Sequence, residues 1–354
     1  MKWSFRWYGE GDNIPLQYVK QIPEVTGVVG TLLNKLPGDV WEVAEINELK
    51  QTIEAEGMNL DGIESVSIHD AIKAGTDERD YYIDNYIQTI RNLAECDVKL
   101  ICYSFKPIFG WLKTNLNYED FDGSLNLVYD QSIIDNMEPS EVFSYVQKQT
   151  KGFALSGWEE ERLAKFNSLL SLYDGITREK LFDNYAYFID KVIPVCDETG
   201  VKMAIHPDDP PWEIFGFPRI TKNLEDLKAI LSLSDSPNHG LTLCTGSLGA
   251  DPDNDLVQII KEVGDRINFV HFRNVEFLGE QKFKECAHYS IRGNLDMYAI
   301  MEALVEVGFN GVIRPDHGRT IWGENARPGY GLYDRAIGIG YMQGLHEAIL
   351  KNSK

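Results

Sequence analysis

The chain reads as an α/β protein of the (β/α)8 barrel class, a TIM barrel with a helical insertion after its fourth strand. Two observations predict this. Short apolar runs alternate with segments of helical periodicity eight times, the pattern of a parallel sheet whose crossovers are helices. A metal-ligand residue type also ends each of the last four runs: His206 in VKMAIH, Cys244 in GLTLC, His271 in INFVH and Asp316 in GVIRPD. The C-terminal strand ends of a parallel barrel converge on one face, where barrel enzymes place their active sites. His, Cys and Asp bind divalent transition metals. A single-metal enzyme is therefore expected.

The elements follow in order. WSFRWY (3–8) is the first strand, followed by a short helix near 15–22 that Pro15 starts. TGVVGTLL (26–33) is the second strand, and 42–57 is a helix closed by Gly57. LDGIESVSI (60–68) and VKLICYSF (98–105) are the third and fourth, with a helix over 78–95 between them. Helices near 179–199, 223–233, 254–264 and 294–307 separate the remaining strands, and a last helix covers 333–350. About 100 residues separate the fourth strand from the fifth, against the ~30 of an ordinary βα unit. The excess, 107–175, holds the polar stretch NLNYEDFDGS and helical segments near 139–150 and 158–172. It leaves from the active-site end of a strand, so it is expected to be a lid or subunit contact within one barrel domain spanning 1–354.

Composition narrows the function. At 43% hydrophobic residues the 354-residue chain buries a large core, and no stretch of roughly 18 apolar residues marks a membrane span. The net charge of −21 argues against nucleic acid or an anionic membrane as partner. Five widely spaced cysteines and no signal-like N-terminus favour reduced thiols in a cytoplasm. The four metal-ligand residues lie in separate βα units, which excludes a zinc finger or ribbon, whose ligands come in close pairs.

Around these residues the sequence is unusually cationic for so acidic a chain. Strand alternation turns Arg314 the same way as Asp316 and Arg273 the same way as His271, and Arg319 and Arg327 follow in the next loop. Such arginines either neutralise barrel carboxylates or grip an anionic substrate, most simply a carboxylate. His317 and Tyr330 sit at the correct end for proton transfer, and His288 lies within reach. His239 and His346 read as structural, and the role of His69 is open. Asp208 and Asp209, in the stiff HPDDPPW loop, either orient the ligands or form a solvated turn. Gly338, Gly340 and Gly344 lack dinucleotide-binding spacing and suggest close helix packing.

Several segments resemble the D-mannonate dehydratase family: FRWYG, TGVVGTL, ESVSIHD, AIHPDDPP, LCTGSLG, VHFRN, RPDHGR and PGYG. They run from the first strand to the last, whereas 125–175 matches poorly. The resemblance implies a xylose-isomerase-like barrel that dehydrates D-mannonate to 2-keto-3-deoxy-D-gluconate. It implies manganese, sometimes ferrous iron, held by His206, Cys244, His271 and Asp316. Ligand type alone leans toward zinc or iron because of the thiolate. Such a reaction needs a base near C2 and an acid near C3, for which His317 and Tyr330 are the candidates in either order. Arg6 and Trp7, in the matching FRWYG segment, join Arg273, Arg314 and Arg319 as expected substrate contacts. A homo-oligomer, dimer or higher, is expected. A sugar isomerase or epimerase on the same barrel, or a non-catalytic sugar-acid binder with a structural metal, is the alternative.

Overall fold

The architecture follows from where the apolar runs pair. A computed structural model describes residues 1–9, 11–153 and 166–352. Twelve strands are present among them: β1 Lys2–Arg6, β2 Gly27–Gly30, β3 Asn59–Glu64, β4 Leu100–Tyr103, β5 Asn115–Glu119, β6 Leu125–Asp130, β7 Lys202–Ile205, β8 His239–Cys244, β9 Ile267–His271, β10 Val275–Gly279, β11 Lys282–Glu285 and β12 Val312–Arg314. Eight of them close into a barrel in the order β1-β12-β9-β8-β7-β4-β3-β2, every neighbouring pair parallel. These are the eight expected strands, and the helices between them fall where periodicity puts them, including Val43–Ala55, Arg79–Glu95, Arg178–Thr199 and Leu332–Asn352. The fold is the expected α/β barrel.

Alternation along the strands builds a small inner core of Val29, Leu100, Cys102, Ala204, Phe269 and Val312. The larger apolar cluster packs the outer faces of the strands against the helices. Each residue two positions beyond an inner plug points the same way. Hence Ala204 sets the direction of His206, Phe269 that of His271, and Val312 that of Arg314 and Asp316. Register then levels these groups: Cys244 is the Cα partner of His271, and His271 of Arg314.

The insertion differs from expectation. The polar stretch after β4 is a β-hairpin, β5–β6, turning at Asp122-Gly123 with Gly123 at φ +79°. An Asp-Gly turn between alternating runs is a hairpin signal that a reading for helices passes over. A second hairpin, β10–β11, follows β9 and extends the first into an antiparallel sheet of order β10-β11-β6-β5. Its strands are short and charged: Lys282 pairs with Asp130, and Lys284 with Asp120 and Glu276. No continuous apolar run betrays them in the sequence. Helices at Pro139–Gln147 and Phe166–Leu172 match the expected helical segments, and 154–165 lie outside the described residues. No helix among the described residues is long and apolar enough to cross a membrane.

Candidate metal centre and active site

His206, Cys244, His271 and Asp316 each offer a ligand atom, and these atoms all lie within 4.8 Å of one another. The donor set fits a metal on several grounds. His206 Nδ1 lies 2.7 Å from the Pro207 carbonyl oxygen, which only accepts, so Nδ1 carries the proton and Nε2 is left as ligand. Burial and the Lys106 ammonium push His206 down to about 4, which keeps the ring neutral. His271 Nε2 lies 3.3 Å from the Glu64 carboxylate and Nδ1 3.6 Å from Asp316, and neither makes a well-formed hydrogen bond, so a ring nitrogen is available to a cation. Ser247 Oγ lies 3.0 Å from Cys244 Sγ and suits a thiolate there. Burial alone would raise the Asp316 carboxyl. His317, His271, Arg273 and Arg314 hold it well below the usual range instead.

The local sequence explains how these groups are held. In Cys244-Thr245-Gly246-Ser247, Thr245 Oγ1 donates to the Arg273 carbonyl at 2.6 Å and accepts from the Arg273 N–H at 2.9 Å. A Cβ at Gly246 would collide with the Arg273 side chain, so only glycine fits. In the HPDDPP loop the two acids part ways. Asp208 accepts from the N–H groups of Ile220 and Thr221 and serves the loop. Asp209 accepts from Lys113 at 2.6 Å, Arg273 at 2.5 Å and Ser247 at 3.2 Å, directly behind Cys244.

The arginines are where alternation puts them, but they face carboxylates. Arg273 is fully buried. It binds Asp209 and Glu285, and its Nε lies 3.1 Å from Asp316. Arg314, also fully buried, holds Glu64 at 2.5 Å and lies 3.3 Å from Asp316. Arg319 is tied to Asp334 and Asp122 on the outer loop. Arg6 donates to the carbonyls of Trp7 and Val29. The Trp7 indole donates to Ile14, and its ring borders a separate cleft of about 500 Å³. The expectation that these five side chains meet the substrate therefore meets a physical obstacle: each already bonds within the protein, and none of the five is among the residues lining the cavity at the metal cluster.

That cavity, of about 100 Å³, is lined by Glu64, Ser65, Cys102, Tyr103, Ser104, Lys106, Trp111, His206, Asp316, His317 and Tyr330. His317 Nε2 lies 3.0 Å from the Tyr330 hydroxyl, while Nδ1 lies 2.8 Å from an Arg273 nitrogen and 3.2 Å from Glu285. Trp111, from the insertion, packs edge-on against the His317 ring. Burial pushes the Tyr330 phenol well above its usual value, with Tyr8 and Asp316 adding to the effect.

Sequence reasoning missed Glu64, Lys106, Trp111 and Glu285. Glu64 was within reach of the strand-end argument, since it is the last residue of β3, but that argument stopped at the last four strands. Glu285 sits on a strand that the sequence does not announce. The other histidines lie away from the cluster. His239 Nε2 faces the Ile230 carbonyl, His346 packs against Trp3, and His69 caps the Asp70–Ala74 helix. His288 is buried beside Asp334, against Gly338.

Comparison with known proteins agrees with this geometry. The D-mannonate dehydratase family model matches residues 1–354. The mannonate dehydratase of Enterococcus faecalis is 66% identical over 349 residues, covering 98% of each chain. That of Thermotoga neapolitana is 51% identical over 354 residues, covering 99% of this chain and 98% of its own. The crystal structure of mannonate dehydratase from Streptococcus suis superposes with a TM-score of 0.90 at 39% identity, covering all of this chain and 96% of the other. A 3-keto-D-glucoside 4-epimerase from E. coli, with a TM-score of 0.55 at 14% identity over 97% of this chain and 99% of its own, shares the barrel alone. With a full-length match to the model and relatives this similar from end to end, the chain belongs to the D-mannonate dehydratase family.

Proposed function

We propose that this protein is a hydro-lyase that converts D-mannonate to 2-keto-3-deoxy-D-gluconate and water. The observation that carries the reading is one small cavity lined both by metal ligands, His206 and Asp316, and by a protonable pair, His317 and Tyr330. The reaction breaks the C2–H and C3–O bonds, forms a C2=C3 enol, and ends when the enol becomes the ketone. A divalent ion held by His206, Cys244, His271 and Asp316 supplies Lewis acidity that favours negative charge on substrate oxygens next to C2. His317 and Tyr330 carry the two proton transfers, one taking the C2 hydrogen and the other protonating the departing C3 hydroxyl. Arg273 and Glu285 fix the His317 ring from behind, and Trp111 closes the cavity over it.

Of the two parts their sequence position suggests, Arg273 and Arg314 take the neutralising one in this reading. They keep Asp316, Glu64, Asp209 and Glu285 ionised and in place, so that Asp316 is presented as a carboxylate. The ion is manganese or ferrous iron in this reading. Five free, buried cysteines suit a reducing cytoplasm, where the protein works as a homo-oligomer. The test is an assay of D-mannonate with a series of divalent metals, scored for the 2-keto-3-deoxy product. Absence of product with every metal, from folded protein, rejects the reading. Light scattering of the same sample reads the oligomeric state.

A further inference from the structure

We propose that Lys106 binds the carboxylate of the substrate and so selects a sugar acid over a neutral sugar. The inference rests on the sugar-acid reading above and names the residue behind its specificity. An aldonate needs a cation at its acid end, and Arg273 and Arg314 are both committed to carboxylates behind the cluster. Among the described residues that line the cavity, Lys106 is the one lysine or arginine.

The surroundings of Lys106 are unusual for a buried ammonium. It is 4% exposed, and among the described residues no carboxylate lies in ion-pair contact with it. Its Nζ lies 3.4 Å from His206 Nδ1. That nitrogen already carries a proton donated to the Pro207 carbonyl, and an ammonium has nothing to accept with, so the contact is no hydrogen bond. Burial holds the Lys106 ammonium below its usual value, and Asp208 and Asp209 oppose this only at longer range, the first being held by Ile220 and Thr221 and the second by Lys113 and Arg273. Lys113 shows the contrast, since it is just as buried but bonds Asp209 at 2.6 Å. A buried, unpaired cation is expensive. An anion arriving in the cavity supplies the missing partner and gains a charge-assisted hydrogen bond. Trp111, on the same wall, also has a buried indole N–H without an acceptor. The two groups together form a donor set for one carboxylate beside the metal ligand His206.

The experiment uses metal-loaded full-length protein and the variants Lys106→Met, Lys106→Gln and Lys106→Arg. D-Mannonate is the substrate, and uncharged D-mannitol is a competing ligand. Lys106→Met and Lys106→Gln should raise KM for mannonate by about 10²-fold, the scale of a lost buried charge-assisted bond. Metal content should not change, and kcat should stay within a factor of about three. The preference for mannonate over mannitol should fall by the same factor as KM rises, whereas a general distortion of the pocket weakens both ligands alike. Lys106→Arg should recover most of the preference. An unchanged KM, an equal loss for both ligands, or a fall in kcat alone would each overturn the inference. If wild-type protein binds mannonate in preference to mannitol through Lys106 but forms no product, the dehydratase reading fails and the carboxylate site stands. Thermal melts of the variants identify any that misfold, and the conclusion is then drawn from the folded neutral variant.

Discussion

The two walls of the active-site cavity use charge in opposite ways. Behind the metal ligands, Arg273 and Arg314 are locked to Asp209, Glu285, Glu64 and Asp316 in a buried ion network in which carboxylates outnumber guanidiniums. Toward the insertion, Lys106, Trp111 and Tyr330 line the cavity, and Lys106 has no counter-ion among the described residues. Both walls carry buried basic side chains, so neither a basic residue type nor burial distinguishes them. The distinction lies in whether a carboxylate is already in reach. A saturated network orients ligands and cannot bind a further anion without giving up a bond, whereas an unsaturated wall waits for one.

The largest test strikes the seam between the walls. Chelating the divalent ion should end dehydration, and re-adding it should restore turnover and raise the melting temperature, because the ion binds the folded state alone. Cys244→Ser should retain the ion less well and shift its preference toward harder cations, read by metal analysis.

His317→Asn and Tyr330→Phe come next, on the open wall. Each should lower kcat by about 10²–10⁴-fold with metal content unchanged. Exchange of the C2 hydrogen with deuterated solvent then assigns their roles, since the variant lacking only the acid still exchanges and the one lacking the base does not. If both variants keep near-normal kcat, the open wall is not where protons move.

Arg273→Met addresses the closed wall. It strands Asp209, Glu285 and Asp316 without their shared cation and should cost about 3–5 kcal/mol of stability, measured by urea unfolding of metal-free protein. Tyr330→Phe should cost far less in the same measurement. Equal costs would erase the contrast between the walls.

The smallest effect concerns the last helix, Leu332–Asn352, whose Arg335 packs over Phe5 and bonds the Tyr330 carbonyl. A Cβ at Gly338 would lie 2.8 Å from the buried His288 ring, and one at Gly340 meets nothing within 4 Å. Gly338→Ala should therefore lose about 1–3 kcal/mol. Gly340→Ala should gain up to about 1 kcal/mol from helix propensity. Thermal unfolding separates the two.

Much of this site was legible along the chain because its logic is local. An apolar run of four to six residues reveals a strand, and its last residue must lie at the catalytic end of a parallel barrel. That is how His206, Cys244, His271 and Asp316 can be named together without coordinates. Alternation likewise places Arg273 and Arg314 beside them. The hairpins β5–β6 and β10–β11 were less legible. Their strands are short and charged, and they become a sheet only by pairing with each other across more than a hundred residues of chain.

What local pattern cannot determine is which partner a buried charge finds. Arg314 and Glu64 meet through closure of the barrel, and Arg273 meets Asp209 from the loop after β7 and Glu285 from the end of β11. Lys106, in the loop SFKPIFGW, has the same residue type and burial as Lys113 seven positions later, and only the second meets a carboxylate. Electrostatic role depends on distances of a few ångströms between residues remote in sequence, and those distances exist only once the chain has closed.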